Sequence, residues 1–171
     1  MINQKKPLID SFLSEIQYAL GAIYDNSVPK GINKDDIELN NEQAVKSTRI
    51  MRINHMGEVC AQALYRGQAA FTKDKKTKDQ LYKMCDEENE HLKLCNLRLS
   101  ELNGKKSILN PLWYAASFSL GAIAGLKEGK WKLGFIEETE KQVKNHLEES
   151  ITSLPKEDSR SKLFLEEIAK D

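Results

Sequence analysis

Apolar positions recur every three to four residues along most of the chain, with little of the strict alternation that marks strands, so the pattern predicts helices. The expected spans are about 11–24, 42–72, 79–103, 111–126, 129–154 and 158–171. All four prolines (Pro7, Pro29, Pro111, Pro155) fall where a helical pattern starts or stops; none removes a hydrogen bond from a helix interior. Asn103-Gly104 supplies a stop for the third helix, and Lys73–Lys78 makes a short basic connection before it. Short connections imply antiparallel neighbours, hence an all-α bundle. Residues 1–40 read as an N-terminal helix and a polar linker through Asn26, Pro29 and Gly31, and 41–171 as the bundle. Phe12, Leu13, Ile16, Ala19, Leu20 and Ile23 make the first helix amphipathic.

Three helices break the pattern in the same way. In the third, the apolar stripe reads Leu81, Met84, Glu88, His91, Leu92, Cys95, Leu99, Leu102, with Lys83, Asp86, Glu87, Glu90 and Arg98 mainly on the other side. Glu88 and His91 stand three apart on one helical face. The fifth helix reads Leu133, Ile136, Glu140, Val143, Leu147, Ile151, Leu154, with one carboxylate at a core position. In the second, Ile50, Asn54, Glu58, Ala61, Tyr65 and Gln68 share a face, and Gly57 and Ala61 leave room for a neighbour beside Glu58. A buried carboxylate is costly unless neutralised or paired. Several inward carboxylates and an imidazole are what a hard-to-borderline metal ion takes. Di-iron carboxylate bundles use one Glu from each of two helices and Glu-x-x-His from each of the other two. Glu58 and Glu140 fit the lone positions, and Glu88 with His91 one pair. Each residue alone also fits a solvated flank; the coincidence on three helices favours metal.

Composition narrows the classes. Of 171 residues, 26 are basic and 26 acidic, a balance that excludes a nucleic-acid binder held by bulk charge. Apolar residues at 40% argue against wholesale disorder. The three cysteines, Cys60, Cys85 and Cys95, form no CxxC, so neither a zinc knuckle nor a disulfide framework is expected, and a reducing compartment is. Met1–Lys6 leads into no apolar core of a secretory signal, and the early acids Asp10 and Glu15 are unlike a transit peptide. A bacterial cytoplasmic setting follows as the expectation.

The runs Arg52-Ile53-Asn54-His55-Met56-Gly57-Glu58, Tyr65-Arg66-Gly67-Gln68 and Met84-Cys85-Asp86-Glu87-Glu88-Asn89-Glu90-His91-Leu92-Lys93 resemble the signatures of the demethoxyubiquinone hydroxylases of ubiquinone biosynthesis. Pro111-Leu112-Trp113 and Lys127-Glu128-Gly129 are similar to that family's membrane-facing helix and its exit. The resemblance covers nearly the whole chain. It implies a ferritin-like antiparallel four-helix bundle, with the short N-terminal helix and the membrane-facing helix added. It also implies two iron ions, and O2 used to hydroxylate a polyprenyl demethoxyubiquinol ring. By position, Glu58, Glu88, His91 and Glu140 match iron ligands. Glu140 is preferred to Glu137 because it aligns His146 with a histidine that orients a ligand. Tyr65 is a candidate to line the site, and His55 a packed or hydrogen-bonded histidine. The resemblance places a second Glu-x-x-His beyond Asp171, so the last helix reads as truncated.

Ser107–Leu126 carries no charge. Its helical part, about 16 residues or ~24 Å, is shorter than the ~30 Å hydrocarbon core. It fits a helix lying in the interface, with Trp113 and Tyr114 at headgroup level. Lys105, Lys106, Lys127, Lys130 and Lys132 on its flanks favour anionic lipids. Ser117, Gly121 and Gly125 recur every four residues and permit close helix contact, a homodimer among the options. The leading expectation is a peripheral monooxygenase on the cytoplasmic face of the bacterial inner membrane, working with other ubiquinone biosynthesis proteins and with no nucleic acid. The alternatives are a non-catalytic quinone or lipid carrier or scaffold subunit, and an iron-storage protein.

Overall fold

The computed structural model describes residues 8–24, 38–127 and 131–170. The side chains of residues 8, 9, 11, 12, 131–133, 135 and 136 lie outside that description, and with them the expected stripe positions Phe12, Leu133 and Ile136 and the flanking Lys132. The linker through Asn26, Pro29 and Gly31, residues Glu128, Gly129 and Lys130, and Asp171 also lie outside it. Among the described residues six helices make an all-α, ferritin-like bundle: α1 Leu8–Tyr24, α2 Asn41–Phe71, α3 Lys75–Glu101, α4 Asn110–Leu126, α5 Trp131–Ser153 and α6 Ser159–Ile168. No strand occurs among the described residues.

Caps set the helix ends. Asn40 and Gln43 form a reciprocal capping box at the start of α2, meeting two backbone donors that the first turn leaves open. Asp74 accepts from the Thr77 N–H at 2.8 Å, so α3 begins at Lys75, four residues before the apolar pattern does. Most of the connection expected at Lys73–Lys78 is therefore helix. Asp158 accepts from the Ser161 N–H at 2.9 Å and starts α6.

The core is shared among the helices. Met51, Cys95, Leu99, Leu147, Leu165 and Ile168 join α2, α3, α5 and α6. Ala61, Leu64, Tyr65, Leu81 and Cys85 join α2 to α3. Val59, Ala63, Leu92 and Tyr114 receive Ala22 and Ile23 of α1. The α1 stripe otherwise departs from expectation: Leu13, Ile16 and Leu20 are exposed and Ala19 is half-buried, because α1 turns another face to the bundle, with Glu15 paired to Arg66 and Tyr18 packed against α2 and α3.

α2 and α4 approach to backbone contact. A Cβ on Gly67 would stand 2.1 Å from the Phe118 carbonyl oxygen, one on Gly121 2.0 Å from that of Leu64, and one on Gly125 2.5 Å from that of Gln68. The small-residue row thus closes on α2 of the same chain. Gly57 differs: a Cβ there meets nothing within 4 Å, so it borders open space rather than a neighbouring helix.

Arg98 overturns its expected place on the polar side of α3, being fully buried at 0% exposure. Its guanidinium lies 2.7 Å from Asp158 Oδ1 and donates to Ser161 Oγ at 2.8 Å. Glu101 accepts from Arg98 at 3.1 Å and from Arg160 Nε at 2.7 Å. Burial pushes the Asp158 and Glu101 carboxyls up, but the Ser161 hydrogen bonds at Asp158, the Arg160 bonds at Glu101 and the Arg98 charge outweigh it, and both sit below their ordinary values. The α6 start is the partner that draws Arg98 inward.

Gly121→Ala is expected to lower stability by about 1–3 kcal/mol through overpacking. Gly57→Ala, in open space, should raise it by up to about 1 kcal/mol through helix propensity. Urea unfolding midpoints of the two variants check this, and equal shifts would contradict the packing described.

Candidate metal centre

Glu58 comes from the middle of α2, and Glu88 and His91 from one face of α3. Successive ligands three apart on a helix project the same way, and the apolar stripe of α3 turns that face inward. All three are buried, at 3%, 8% and 8% exposure. One ligand atom from each lies within 4.8 Å of the others. His91 Nδ1 is 3.1 Å from Glu88 Oε2 and 3.8 Å from Glu58 Oε2.

The electrostatics of the three side chains suit a cation. Burial raises Glu88, the Glu58 carboxylate adds to the rise and His91 opposes it; the net displacement is upward. Burial alone would lower His91, but the two carboxylates outweigh it and hold the ring protonated well above its ordinary range. Protons here occupy the role that a metal ion would take, since ligands must deprotonate to coordinate. Glu58 Oε2 is buried without a hydrogen-bond partner among the described residues, an exception that calls for a physical reason. Two carboxylates and an imidazole are also the donor set that iron or manganese accepts.

Glu140 departs from the core position expected of it. It is exposed, at the edge of a cavity of about 470 Å3 that opens between α3, α5 and α6 and also reaches Glu88 and His91. The opening beside α5 is what leaves it accessible. The hydroxyl of fully buried Tyr65 donates to Glu140 Oε1 and ties that carboxylate to α2. Burial raises the Tyr65 phenol strongly, and the Glu140, Glu88 and Glu58 carboxylates add to this, so it stays a donor.

His146 lines a second cavity, about 240 Å3, between α2, α4 and α5, together with Glu58 and Asn54. Its walls are mainly apolar, from Ala61, Leu64, Val143 and Leu147. His55 is fully buried and accepts from Asn110 Nδ2 at 3.4 Å; burial, with the Lys106 charge, lowers it to about 4. It holds the head of α4 against α2. Sequence reasoning gave Asn54 no role, although it stands one turn before Glu58 on the same face, which is the signal that could have found it.

Buried carboxylates and an imidazole converging inside a helical bundle define a protein able to hold a metal ion. The family described as ubiquinone biosynthesis protein COQ7 matches residues 45–171. The chain is 45% identical over 161 residues to the 3-demethoxyubiquinol 3-hydroxylase of Xanthomonas axonopodis pv. citri, covering 92% of this chain and 74% of that protein. It is 47% identical over 161 residues to the protein of the same name from Xanthomonas oryzae pv. oryzae, with the same coverage. With that of Dechloromonas aromatica it shares 49% over 136 residues, 80% of this chain and 66% of that one. The chain belongs to the ubiquinone biosynthesis protein COQ7 family.

Anaerobic Fe2+ at about a hundred times its Kd should stabilise the fold by about 2.7 kcal/mol, read as a rise in Tm. Glu88→Gln and His91→Ala should abolish the rise, whereas Glu87→Gln, on the exposed side of α3, should keep it. A rise retained in the first two variants would place the metal elsewhere.

Proposed function

We propose that this chain hydroxylates the ring of demethoxyubiquinol in ubiquinone biosynthesis, using O2 and iron. The observation that carries the reading is the convergence of Glu58, Glu88 and His91, with Glu140 close by through Tyr65, in a chain of this family. Glu58, Glu88, His91 and Glu140 would hold the metal. Iron bound there would supply the redox chemistry for inserting an oxygen atom from O2 into an aromatic C–H bond. Tyr65 holds the Glu140 carboxylate by donating to it. The apolar walls of the smaller cavity receive the ring and keep water from it. His146, which lines the same cavity, would pass a proton to or from a ring hydroxyl.

Two iron ions need more ligands than these four. Glu88–His91 is the one Glu-x-x-His in the 171 residues, and the open space between α3, α5 and α6 is where a second such pair would enter.

The polyprenyl tail calls for a bilayer. No helix among the described residues is long and apolar enough to cross a membrane. Leu112, Trp113, Leu120, Ile123 and Leu126 of α4 are exposed, as are Leu13, Ile16 and Leu20 of α1. These faces support docking on the cytoplasmic surface of the inner membrane, with Lys105, Lys106 and Lys127 meeting anionic headgroups. Other proteins of the same pathway would meet the chain there.

The test supplies iron-loaded chain and O2 with demethoxyubiquinol in anionic vesicles and quantifies the hydroxylated product. His91→Ala should lose iron and at least about a hundredfold in turnover, the scale of losing a metal ligand or its support. The double variant Trp113→Ser, Ile123→Ser should lower conversion in vesicles but not of a short-tailed quinol in solution. Tight quinol binding with no turnover and no iron would favour the carrier reading instead.

A further inference from the structure

The smaller cavity holds a second polar group that the site described above does not use. Asn54 is 2% exposed. Its amide nitrogen donates to the Ile50 carbonyl oxygen at 2.9 Å and to Ser150 Oγ at 3.0 Å. A backbone carbonyl can only accept, so the nitrogen must face Ile50 and the orientation of the amide is fixed by its partners. With both N–H groups engaged, what remains is Oδ1, buried and without a hydrogen-bond partner. Asn54 lines the cavity one helical turn before Glu58 on α2, whose own carboxylate faces the His91 ring and is assigned to the metal. A mainly apolar cavity with an unmet acceptor in its wall calls for a ligand that donates, because a buried acceptor left unmade is costly.

Resting on the quinol reading above, we propose that Asn54 makes this cavity selective for the reduced, hydroxyl-bearing form of the ring over the oxidised carbonyl form. A ring hydroxyl donates to Asn54 Oδ1. A quinone carbonyl in its place sets two acceptors against each other, and the amide cannot turn to offer an N–H without abandoning Ile50 and Ser150. Asn54 thereby selects the redox state in which the substrate binds, and it acts by contact with the ring rather than through the metal.

The probes are a decyl-tailed methoxy-methyl hydroquinone, kept reduced under anaerobic conditions, and its quinone. Each is titrated into the full chain and binding is read by calorimetry, with no turnover required. The hydroquinone should bind about tenfold more tightly than the quinone, the scale of one hydrogen bond gained against one acceptor opposed. Asn54→Leu should bring the two affinities within about twofold of each other, chiefly by weakening the hydroquinone. Equal affinities in the unaltered chain overturn the proposal while leaving the quinol reading standing, and that measurement needs no variant to fold. A preference that survives in Asn54→Leu also overturns it. If neither form binds, the quinol reading itself fails, and this inference with it.

Discussion

Two carboxylates, Glu58 and Glu88, face each other across α2 and α3 in an interior that penalises charge. Without compensation such a pair costs several kcal/mol, so the fold must supply positive charge at that point. It does so first through His91, whose ring is held protonated by its two neighbours. A metal ion bound by the same three side chains would supply that charge in place of the protons. The other features of the site answer to this constraint. Tyr65 ties Glu140 toward it, the larger cavity gives access to it, and the smaller cavity ends on it.

The surrounding packing explains how the fold tolerates the cost. α2 and α4 meet through Gly67, Gly121 and Gly125 at backbone distance, and α6 is bound to α3 by the buried Arg98–Asp158 pair. Both contacts lie away from the carboxylates. The side facing α5 is looser, with cavities on either hand. Rigid contacts at the back and open space at the front are what a site needs to hold ligands in place while admitting a substrate.

The sequence made Glu58, Glu88 and His91 legible because helical period projects them onto apolar stripes, where a charge is conspicuous. The same logic placed α2, α4 and α5 within a few residues of their observed ends. It failed where a tertiary partner decides. Arg98 looks like a solvated flank until Asp158 and Ser161, some sixty residues later, arrive to bury it. Glu140 sits on an apolar stripe, yet the helix flanks an opening there and the residue is exposed. The stripe of α1 promised burial that, among its described positions, Ile23 obtains in full and Ala19 in part. Asp74 began α3 a turn early because a single cap outweighs a run of lysines.

The most direct measurement of the central claim is an anomalous difference map at the iron edge, from crystals grown anaerobically with Fe2+. The account predicts a peak bounded by the carboxylates of Glu58 and Glu88 and the imidazole of His91. Iron bound only at surface acids, with the His91 ring bonded to Glu88 instead of to the metal, would contradict it.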